Sequence, residues 1–340
     1  MEREKSLLTL VITATLLIFG CVQVDAASWR INNNANRHAH FTDINAAMSS
    51  SNVQAGDTLY LDPGCTLTSS QTVSKRVTII GTGYFLPSGT YTASTIGGTL
   101  TLKAADTKVE GVTMTNTTYA YADRIIIERC KTVAIVVGSS SYSARNVVIR
   151  QCYLSGFVNG VGKTGMNSAY CTIENCIIVC SGSHGCIYQL YAPTIRNNYL
   201  KETGNYAIFQ SVSNTTIKNN IEINTKSKGS IFSDYSNTIN SNNVLSSASG
   251  AEGNRFLDST AESLVFALEG TNDQKYQLKE GSPALGFADD GGDCGPYGGL
   301  HPYVPSGYPL GIPYVVTASG STSPSDGKVA ITNQVNIQKQ

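Results

Sequence analysis

A short motif of apolar and polar positions recurs along the middle of the chain. Each copy begins with an isoleucine and has cysteine or asparagine three residues later. The copies begin at Ile127, Ile149, Ile173, Ile195, Ile217 and Ile239, at steps of 22, 24, 22, 22 and 22 residues. They are rich in Ile, Val, Thr and Tyr in short alternating runs broken by Asn, Gly and Ser, which is typical of strands joined by tight turns. This repeat indicates a solenoid.

A repeat of this length has room for two or three strands, and it predicts an all-β fold: a parallel β-helix of about ten turns, stacked about 4.8 Å apart. The six isoleucines are expected to form a ladder inside the helix. Three residues further on we expect a tight turn with a left-handed backbone, in a column made of Cys130, Cys152, Cys176, Asn198, Asn220 and Asn242. A column of stacked aromatic rings is expected from Tyr188, Phe209 and Phe232.

The residue after each ladder isoleucine forms a further column. Its members are Glu128, Arg150, Glu174, Arg196, Lys218 and Asn240. Alternation along a strand places this column on the outer surface, because the isoleucines point inwards. One interpretation is a ladder of ion pairs that fixes the register, each pair contributing about 0–1 kcal/mol. The other is a groove for an acidic polysaccharide, in which Arg150, Arg196 or Lys218 meets carboxylates and one arginine acts as a base.

Two carboxylates of this column have a spacing that hydrolases use. Glu128 and Glu174 lie two turns apart, at about 9.6 Å by the turn spacing. Inverting glycoside hydrolases hold two carboxyl groups about 6.5–9.5 Å apart. Any alternating ladder produces a similar distance, so the spacing does not separate a hydrolase from a structural ladder. The candidate catalytic residues are Arg150, Glu174 and Arg196, together with Glu128 and Lys218.

The repeated I-x-N-N-x-I/L unit, as in residues 195–200, resembles the right-handed parallel β-helix repeat of the pectate-lyase-like superfamily. Residues 55–61 are similar to the first turn of such proteins, residues 41–48 to a short N-terminal capping helix, and residues 281–298 to a closing loop. The resemblance covers about residues 28–304 and implies a right-handed helix. It does not imply an activity, because the superfamily contains lyases, hydrolases, isomerases and non-catalytic surface proteins. The calcium-binding and catalytic arginine motifs of pectate lyases are not recognisable.

Composition restricts the possible partners. Charged residues make up 14% of the chain, with 24 basic and 24 acidic residues. Since there is no excess of positive charge to neutralise phosphates, nucleic-acid binding is not expected. A hydrophobic content of 41% is sufficient for a core. A β-helix explains the scarcity of charge, because most of its positions are inward ladders and turns.

The N-terminal segment reads as a targeting signal. Residues 1–5 are charged and residues 6–22 carry no charge, a stretch shorter than the roughly 20 residues of a membrane span. Small residues at Val24 and Ala26 fit a cleavage site, so residues 1–26 are predicted to be a signal peptide. A lipoprotein with a lipid anchor at Cys21 is the alternative. The mature chain is expected to be secreted or at the cell surface, monomeric and without a membrane span, with a β-helix over residues 27–304 and an added C-terminal strand or tail over residues 305–340.

Cysteine, histidine and aspartate offer further candidates for chemistry. Eight cysteines remain after cleavage, and either buried free thiols or disulfides between neighbouring turns explain them better than a metal site. Asp289, Asp290 and Asp293 are weak candidates for calcium, because these residues lack regular ligand spacing. No other cofactor is evident from the sequence. His184 is expected in an exposed turn. His38, His40 and His301 are expected to cap the two ends.

Two functions are compatible with these patterns. The first is an exported β-helix protein that binds or processes polysaccharide, as a lyase or a hydrolase on acidic glycans. The second is a non-catalytic surface or structural protein whose charge column only fixes the register. The sequence leaves catalysis open.

Overall fold

The structure is a computed structural model that describes residues 26–86, 92–162, 166–182, 184–225, 231–246, 253–270, 272–307, 313–320 and 331–337. The predicted signal peptide (apart from its last residue) and the anchor candidate Cys21 lie outside these residues. No helix in these described ranges is long and apolar enough to cross a membrane.

Short strands wind around one axis as a right-handed parallel β-helix. In chain order the strands are β1 (Ser28–Ile31), β2 (Thr58–Leu61), β3 (Thr66–Leu67), β4 (Gln71–Val73), β5 (Thr78–Ile80), β6 (Thr95–Ile96), β7 (Leu100–Leu102), β8 (Lys108–Glu110), β9 (Thr113–Met114), β10 (Thr118–Ala120), β11 (Ile126–Glu128), β12 (Lys131–Thr132), β13 (Ile135–Val137), β14 (Val148–Arg150), β15 (Tyr153–Leu154), β16 (Val158–Asn159), β17 (Thr172–Glu174), β18 (Ile177–Cys180), β19 (Ile187–Tyr188), β20 (Thr194–Arg196), β21 (Tyr199–Glu202), β22 (Phe209–Ser213), β23 (Thr216–Lys218), β24 (Ile221–Asn224), β25 (Phe232–Ser236), β26 (Ile239–Ser241), β27 (Val244–Leu245) and β28 (Arg255–Phe256). Short 3₁₀ turns cover Ala35–Arg37, Met166–Ser168, Glu262–Leu264, Gln274–Tyr276 and Pro305–Gly307.

Three sheets form the walls of the helix. The first sheet has the order β1-β2-β5-β8-β11-β14-β17-β20-β23-β26, the second β3-β6-β9-β12-β15-β18-β21-β24-β27-β28, and the third β4-β7-β10-β13-β16-β19-β22-β25. Every third strand pairs in parallel, so β2 to β25 make eight complete turns with a partial turn at each end. This architecture confirms the predicted all-β solenoid, and the expected turn number is roughly met.

The isoleucine ladder is confirmed for five of its six members. Ile127, Ile149, Ile173, Ile195 and Ile217 are in register and fully buried. Leu59, Ile79 and Val109 extend the ladder towards the N-terminus. Ile239 was expected in this ladder, and that expectation is wrong. It pairs with Thr216 and is 58% exposed, whereas Asn240 pairs with Ile217 and is buried.

The left-handed turn lies one residue earlier than predicted for most of the column. Positive φ angles occur at Arg129, Gln151, Asn175, Asn197, Asn219 and Asn242. Cys130, Cys152 and Cys176 follow these turns and point into the core, as do Asn198, Asn220 and Asn243. The interior amides are hydrogen-bonded along the stack, with 3.0 Å from Asn198 Nδ2 to Asn220 Oδ1 and from Asn220 Nδ2 to Asn243 Oδ1. The predicted stacking of amides is therefore correct for Asn198 and Asn220, and Asn243 takes the place expected for Asn242.

The aromatic column also differs from the prediction. Phe209 and Phe232 are in register and their rings stack at 5.1 Å. Tyr188 is in register with Gln210, and Ile187 occupies the place next to Phe209. The Tyr188 ring instead contacts Phe157. Tyr188 therefore lies one residue out of register with the aromatic column.

A short helix covers the N-terminal end, as predicted. Helix α1 (Ile44–Ser49) begins after Asp43, whose carboxylate accepts a hydrogen bond of 2.7 Å from Ala46 N. Its first amide, Ile44 N, donates to Gln71 Oε1 in β4. Because Ile44 and Ala47 are fully buried against the first complete turn, the helix closes that end of the core.

The predicted closing loop instead runs back along the side of the β-helix. We call residues 284–307 the strap. Its contacts begin at Asn242, whose side-chain amide donates to Phe287 O, and reach Tyr84, whose N donates to Ser306 O. The strap thus passes from the last turns to the second complete turn, outside the corner between the first and second sheets.

Side-chain amides at the left-handed positions attach the strap to the helix. We call Gln151, Asn175, Asn197, Asn219 and Asn242 the amide column. Each of these side chains donates to the strap. Gln151 donates to Pro302 O, and Asn175 donates to both Pro296 O and Gly298 O. Asn197 donates to Asp293 O, Asn219 to Asp289 Oδ1 and Asn242 to Phe287 O. Five successive turns therefore share in fixing one segment.

The C-terminal tail contains two strands. β29 (Pro313–Gly320) and β30 (Ile331–Ile337) pair antiparallel in a sheet of their own. The packing of this tail on the β-helix stays a prediction.

Candidate functional site

The charged column lies on the outer face of the first sheet, on consecutive strands. Its members in register are Glu110, Glu128, Arg150, Glu174, Arg196 and Lys218. Glu110 was missed because its turn departs from the regular spacing. Asn240 was included wrongly, since Ser241 is the partner of Lys218. The one-residue shift that exposes Ile239 explains this error.

Acidic and basic members of the column differ in depth. The side chains of Glu110, Glu128 and Glu174 are at most 7% exposed. Those of Arg150, Arg196 and Lys218 are 26%, 42% and 32% exposed. The expectation that the column faces outwards holds for the cations, whereas the carboxylates are covered. Within the column the accessible groups are therefore the cations, and the column's own carboxylates lie beneath them.

Each candidate cation has an acidic partner. Arg150 Nη2 lies 2.8 Å from Glu128 Oε2, and Lys218 Nζ lies 2.9 Å from Asp289 Oδ2. Arg196 donates from Nε and Nη2 to the same oxygen of Glu174, at 2.8 and 2.7 Å. These contacts fix the side chains, and other N–H groups of each cation meet no acceptor among the residues that the structure describes.

A buried ionic network continues the column towards the N-terminus. Arg129, at a left-handed position, forms ion pairs with both Glu110 and Glu128. Burial alone would raise the pKa of Glu128, but Arg129, Arg150 and Lys108 together hold that pKa below its usual value. Glu128 is thus a structural anion within this network, an unsuitable state for a general acid.

An open cleft of about 270 Å³ separates the column from the strap. Its lining residues are Glu174, Asn175, Thr194, Arg196, Asn197, Thr216, Lys218, Asn219, Asp289, Asp290, Gly299 and Leu300. The structure therefore brings together three of the predicted site residues, Glu174, Arg196 and Lys218. Two of the predicted calcium candidates, Asp289 and Asp290, join them from the strap. Glu128, Arg150 and Asp293 are not among the lining residues.

His301 lies at the edge of this site, where sequence reasoning did not place it. Its Nε2 is 3.9 Å from Glu174 Oε1, and its side chain is 42% exposed. It was expected to cap an end of the helix because it follows the last repeat. The return path of the strap, which no local pattern reveals, brings it back over the column.

The three aspartates of the strap have separate partners. Hydrogen bonds from Lys218 and Asn219 lower the pKa of Asp289. Asp290 Oδ1 accepts from Gly292 N, and Asp293 Oδ1 accepts from Gly286 N, both at 2.9 Å. In the described residues the one group of three metal-ligand side chains is Cys180, Cys186 and Glu202, on another corner of the helix. Calcium at the aspartates stays a prediction.

The cysteines occur in both of the states considered from the sequence. Cys180 and Cys186 form a disulfide. The remaining described cysteines are buried free thiols, namely Cys65, Cys130, Cys152, Cys171, Cys176 and Cys294. The bonded pair joins two positions of one turn, so the expected pairing between neighbouring turns does not occur among them.

Comparison with known proteins supports the architecture. The sequence model of a family described as "Right handed beta helix region" matches residues 110–260. The chain contains a right-handed β-helix region. No curated protein matches the chain significantly.

Two solved structures resemble the fold at low similarity. A mutant of the PL6 family alginate lyase AlyGC has 14% identity and a TM-score of 0.37, covering 68% of this chain and 41% of that one. This chain therefore spans less than half of the alginate lyase. The pectate lyase Pel9A has 14% identity and a TM-score of 0.33, covering 80% of this chain and 97% of that one. Neither likeness assigns an activity to the β-helix described here.

Proposed function

We propose that this chain is an exported protein that binds acidic polysaccharide in the cleft between the first sheet and the strap. The observation that supports the proposal is the layering of charge, with exposed Arg196 and Lys218 above the buried Glu174. A repeating polyanion would find cations at successive turns, about 4.8 Å apart. The strap forms the second wall, so a chain lying along the column would be enclosed on two sides.

The cations have hydrogen-bonding capacity left for a ligand. Arg196 uses two N–H groups on Glu174, out of the five that a guanidinium carries. Lys218 has three N–H donors, one of which meets Asp289. A uronate carboxylate would accept from these remaining donors in charge-assisted hydrogen bonds, which are stronger than neutral ones.

Lyase activity is the second candidate, and the position of His301 favours it. In a β-elimination a base removes the proton next to the uronate carboxylate, a carbon–carbon double bond forms, and the bond to the leaving sugar oxygen breaks as that oxygen takes a proton from water. His301 at the cleft edge would be the base, with Arg196 stabilising the negative charge that develops on the carboxylate. A product with an ultraviolet-absorbing double bond distinguishes this activity from binding alone.

Replacing Arg196 by glutamine tests the binding proposal. Glutamine keeps a donor for Glu174, whereas alanine would leave a buried carboxylate unpaired at a cost of about 3–5 kcal/mol. Loss of the positive charge should weaken binding of polygalacturonate or alginate by about tenfold. Affinity is measured by calorimetry on the full chain, with a neutral β-glucan as the reference ligand.

The matched control is Arg145→Gln, which changes an arginine of similar exposure paired with Asp123, outside the residues that line the cleft. The control should bind like the unmodified protein. Equal losses in both variants, or no binding of acidic polysaccharide by the unmodified chain, would overturn the proposal. Sequencing the N-terminus of protein recovered from the culture medium tests export.

A further inference from the structure

Three potential metal ligands meet at the corner between the second and third sheets. Cys180 ends β18 and Glu202 ends β21, and the two residues are in register. Cys186 lies just before β19. The two Sγ atoms and a carboxylate oxygen of Glu202 all lie within 4.8 Å of one another. All three side chains are buried.

Glu202 supplies an independent reason to expect a ligand here. Its Oε1 accepts a hydrogen bond of 2.5 Å from Gly204 N. Its Oε2 is buried, and no described residue donates a hydrogen bond to it. A buried carboxylate oxygen without a partner is costly, so such atoms in native proteins call for a ligand, a proton or an ion.

We propose that reduction of the Cys180–Cys186 disulfide creates a binding site for a soft divalent cation such as Zn²⁺, held by both thiolates and the Glu202 carboxylate. Zinc takes sulfur ligands at about 2.3 Å and carboxylate oxygens at about 2.0–2.2 Å, so its ligand atoms lie within about 4.6 Å of each other. In the disulfide form the three atoms lie within 4.8 Å of one another, and reduction frees the two bonded sulfurs to separate to the spacing of two ligands on one cation. Three protein ligands leave a fourth tetrahedral position for water.

The disulfide and the metal exclude each other. A dithiol or phosphine reductant donates two electrons and breaks the sulfur–sulfur bond to give two thiols. A dithiol supplies the two protons itself and becomes a disulfide, whereas a phosphine becomes a phosphine oxide and water supplies the oxygen and the two protons. When the cation binds, each thiol releases its proton to the solvent and becomes a thiolate ligand.

A short loop with exposed residues connects the two cysteines of this site. The loop between Cys180 and Cys186 contains exposed Gly182 and His184. Gly204 lies against the same loop, because an added Cβ there would be 3.2 Å from Gly182 O. Small residues give a reductant and a cation a short path to the sulfurs. The site is on a different corner from the polysaccharide cleft, so the two proposals are independent.

The stacked thiols Cys130, Cys152 and Cys176 provide a contrast. They belong to successive turns, and they do not form a group of three ligand atoms within the same distance. Each Sγ lies within hydrogen-bonding distance of backbone carbonyls, for example 3.2 Å from Cys130 Sγ to Glu128 O. A soft metal is therefore not expected to select this ladder.

The test compares Zn²⁺ binding by the oxidised and the phosphine-reduced full chain, measured by competition with a chromophoric chelator. The reduced chain should bind one more Zn²⁺ than the oxidised chain. Glu202→Gln should weaken that binding by about tenfold or more, and Cys180→Ser should abolish it. Cys176→Ser removes a buried thiol of the ladder and should leave binding unchanged.

Circular dichroism of each reduced variant establishes that it is folded. Because Glu202→Gln and Cys180→Ser change different ligands, the test remains valid if one of the two variants does not fold. Equal binding by oxidised and reduced chains would overturn the proposal. So would an equal loss in Cys176→Ser, or unaltered affinity in both Glu202→Gln and Cys180→Ser.

Discussion

Single carboxylates in this protein have two very different environments. Glu174, in the outer column, is buried beneath Arg196 and forms an ion pair with it. Glu222 faces the interior, in register between Leu200 and Leu245 on the second sheet. It is fully buried, and both of its oxygens lack hydrogen-bond partners in the described part of the chain. The same residue type therefore has a compensated charge at one site and an uncompensated polar group at the other.

Replacing Glu222 by leucine should stabilise the protein in a pH-dependent way. Burial raises the pKa of Glu222 well above its ordinary value, so the folded chain keeps this carboxyl neutral. The free energy of unfolding is therefore highest below the pKa that Glu222 has in the unfolded chain. It falls by about 1.4 kcal/mol per pH unit as the pH rises from that value towards the pKa of Glu222 in the folded chain. Leucine removes this loss, so the variant should gain more at pH 8 than at pH 5 in urea unfolding.

Glu269→Leu is the control, because Glu269 is exposed. It should change the unfolding free energy little and equally at both pH values. A gain for Glu222→Leu that did not depend on pH would show that the carboxyl has a partner in solution. Sequence alone could not reveal this residue, since a glutamate in a strand normally predicts a surface position.

At the scale of strands, the decisive feature is a shift of one residue at β26. The step from Ile217 to its partner Asn240 is 23 residues, one more than the regular repeat. The left-handed Asn242 and the interior Asn243 follow this longer step. As a result the whole of β26 changes faces relative to its sequence motif.

Alanine substitutions at two isoleucines test this register. Ile217→Ala should cost about 2–5 kcal/mol, because it leaves a cavity in the fully buried ladder. Ile239→Ala should cost less than about 1 kcal/mol, because that side chain is 58% exposed. Urea unfolding of both variants measures the difference. Equal costs would contradict the register, since the regular repeat would place both residues inside.

The repeat predicted most of the architecture because its signal is physical. A ladder position must be apolar at every turn, so Ile127 to Ile217 identify the first sheet and its inward face. The shift at β26 was not predictable, because Asn242 and Asn243 are both asparagine and the motif fits at either register. The charged column was predicted as a set, but its division into exposed cations and buried carboxylates was not predicted. That division depends on Arg129, which occupies a motif position that is asparagine in later copies, and on the strap, which lies outside the motif.

At the scale of the whole molecule, the strap joins turns that are distant in sequence. Asp273 Oδ2 accepts from Tyr303 OH at 2.9 Å and from Ser306 N at 2.7 Å. Tyr84 OH lies 2.6 Å from Tyr303 OH, which links this end of the strap to the second complete turn. The amide column attaches the rest. No sequence pattern predicts these contacts, because they connect the turns of the helix to a segment that has no repeat.

This arrangement makes the cleft dependent on the strap, and Asn175→Gly tests the dependence. Asn175 donates to Pro296 O and Gly298 O, and glycine removes only these two bonds while accepting the left-handed backbone. The loss of two hydrogen bonds should lower the free energy of local unfolding at the middle of the strap by about 1–3 kcal/mol. Hydrogen exchange at Gly295 and Tyr303, measured by mass spectrometry, should rise by about tenfold or more.

The matched control is Asn214→Gly, which alters an exposed left-handed asparagine between the third and first sheets. Exchange in the strap should be unchanged in this control, because its side chain contacts no strap residue among those described. Binding of acidic polysaccharide should fall in Asn175→Gly, since the strap supplies Gly299 and Leu300 to the second wall of the cleft. Faster exchange with unaltered binding would mean that the column of cations alone recognises the ligand. Unaltered exchange would mean that the other members of the amide column suffice to fix the strap.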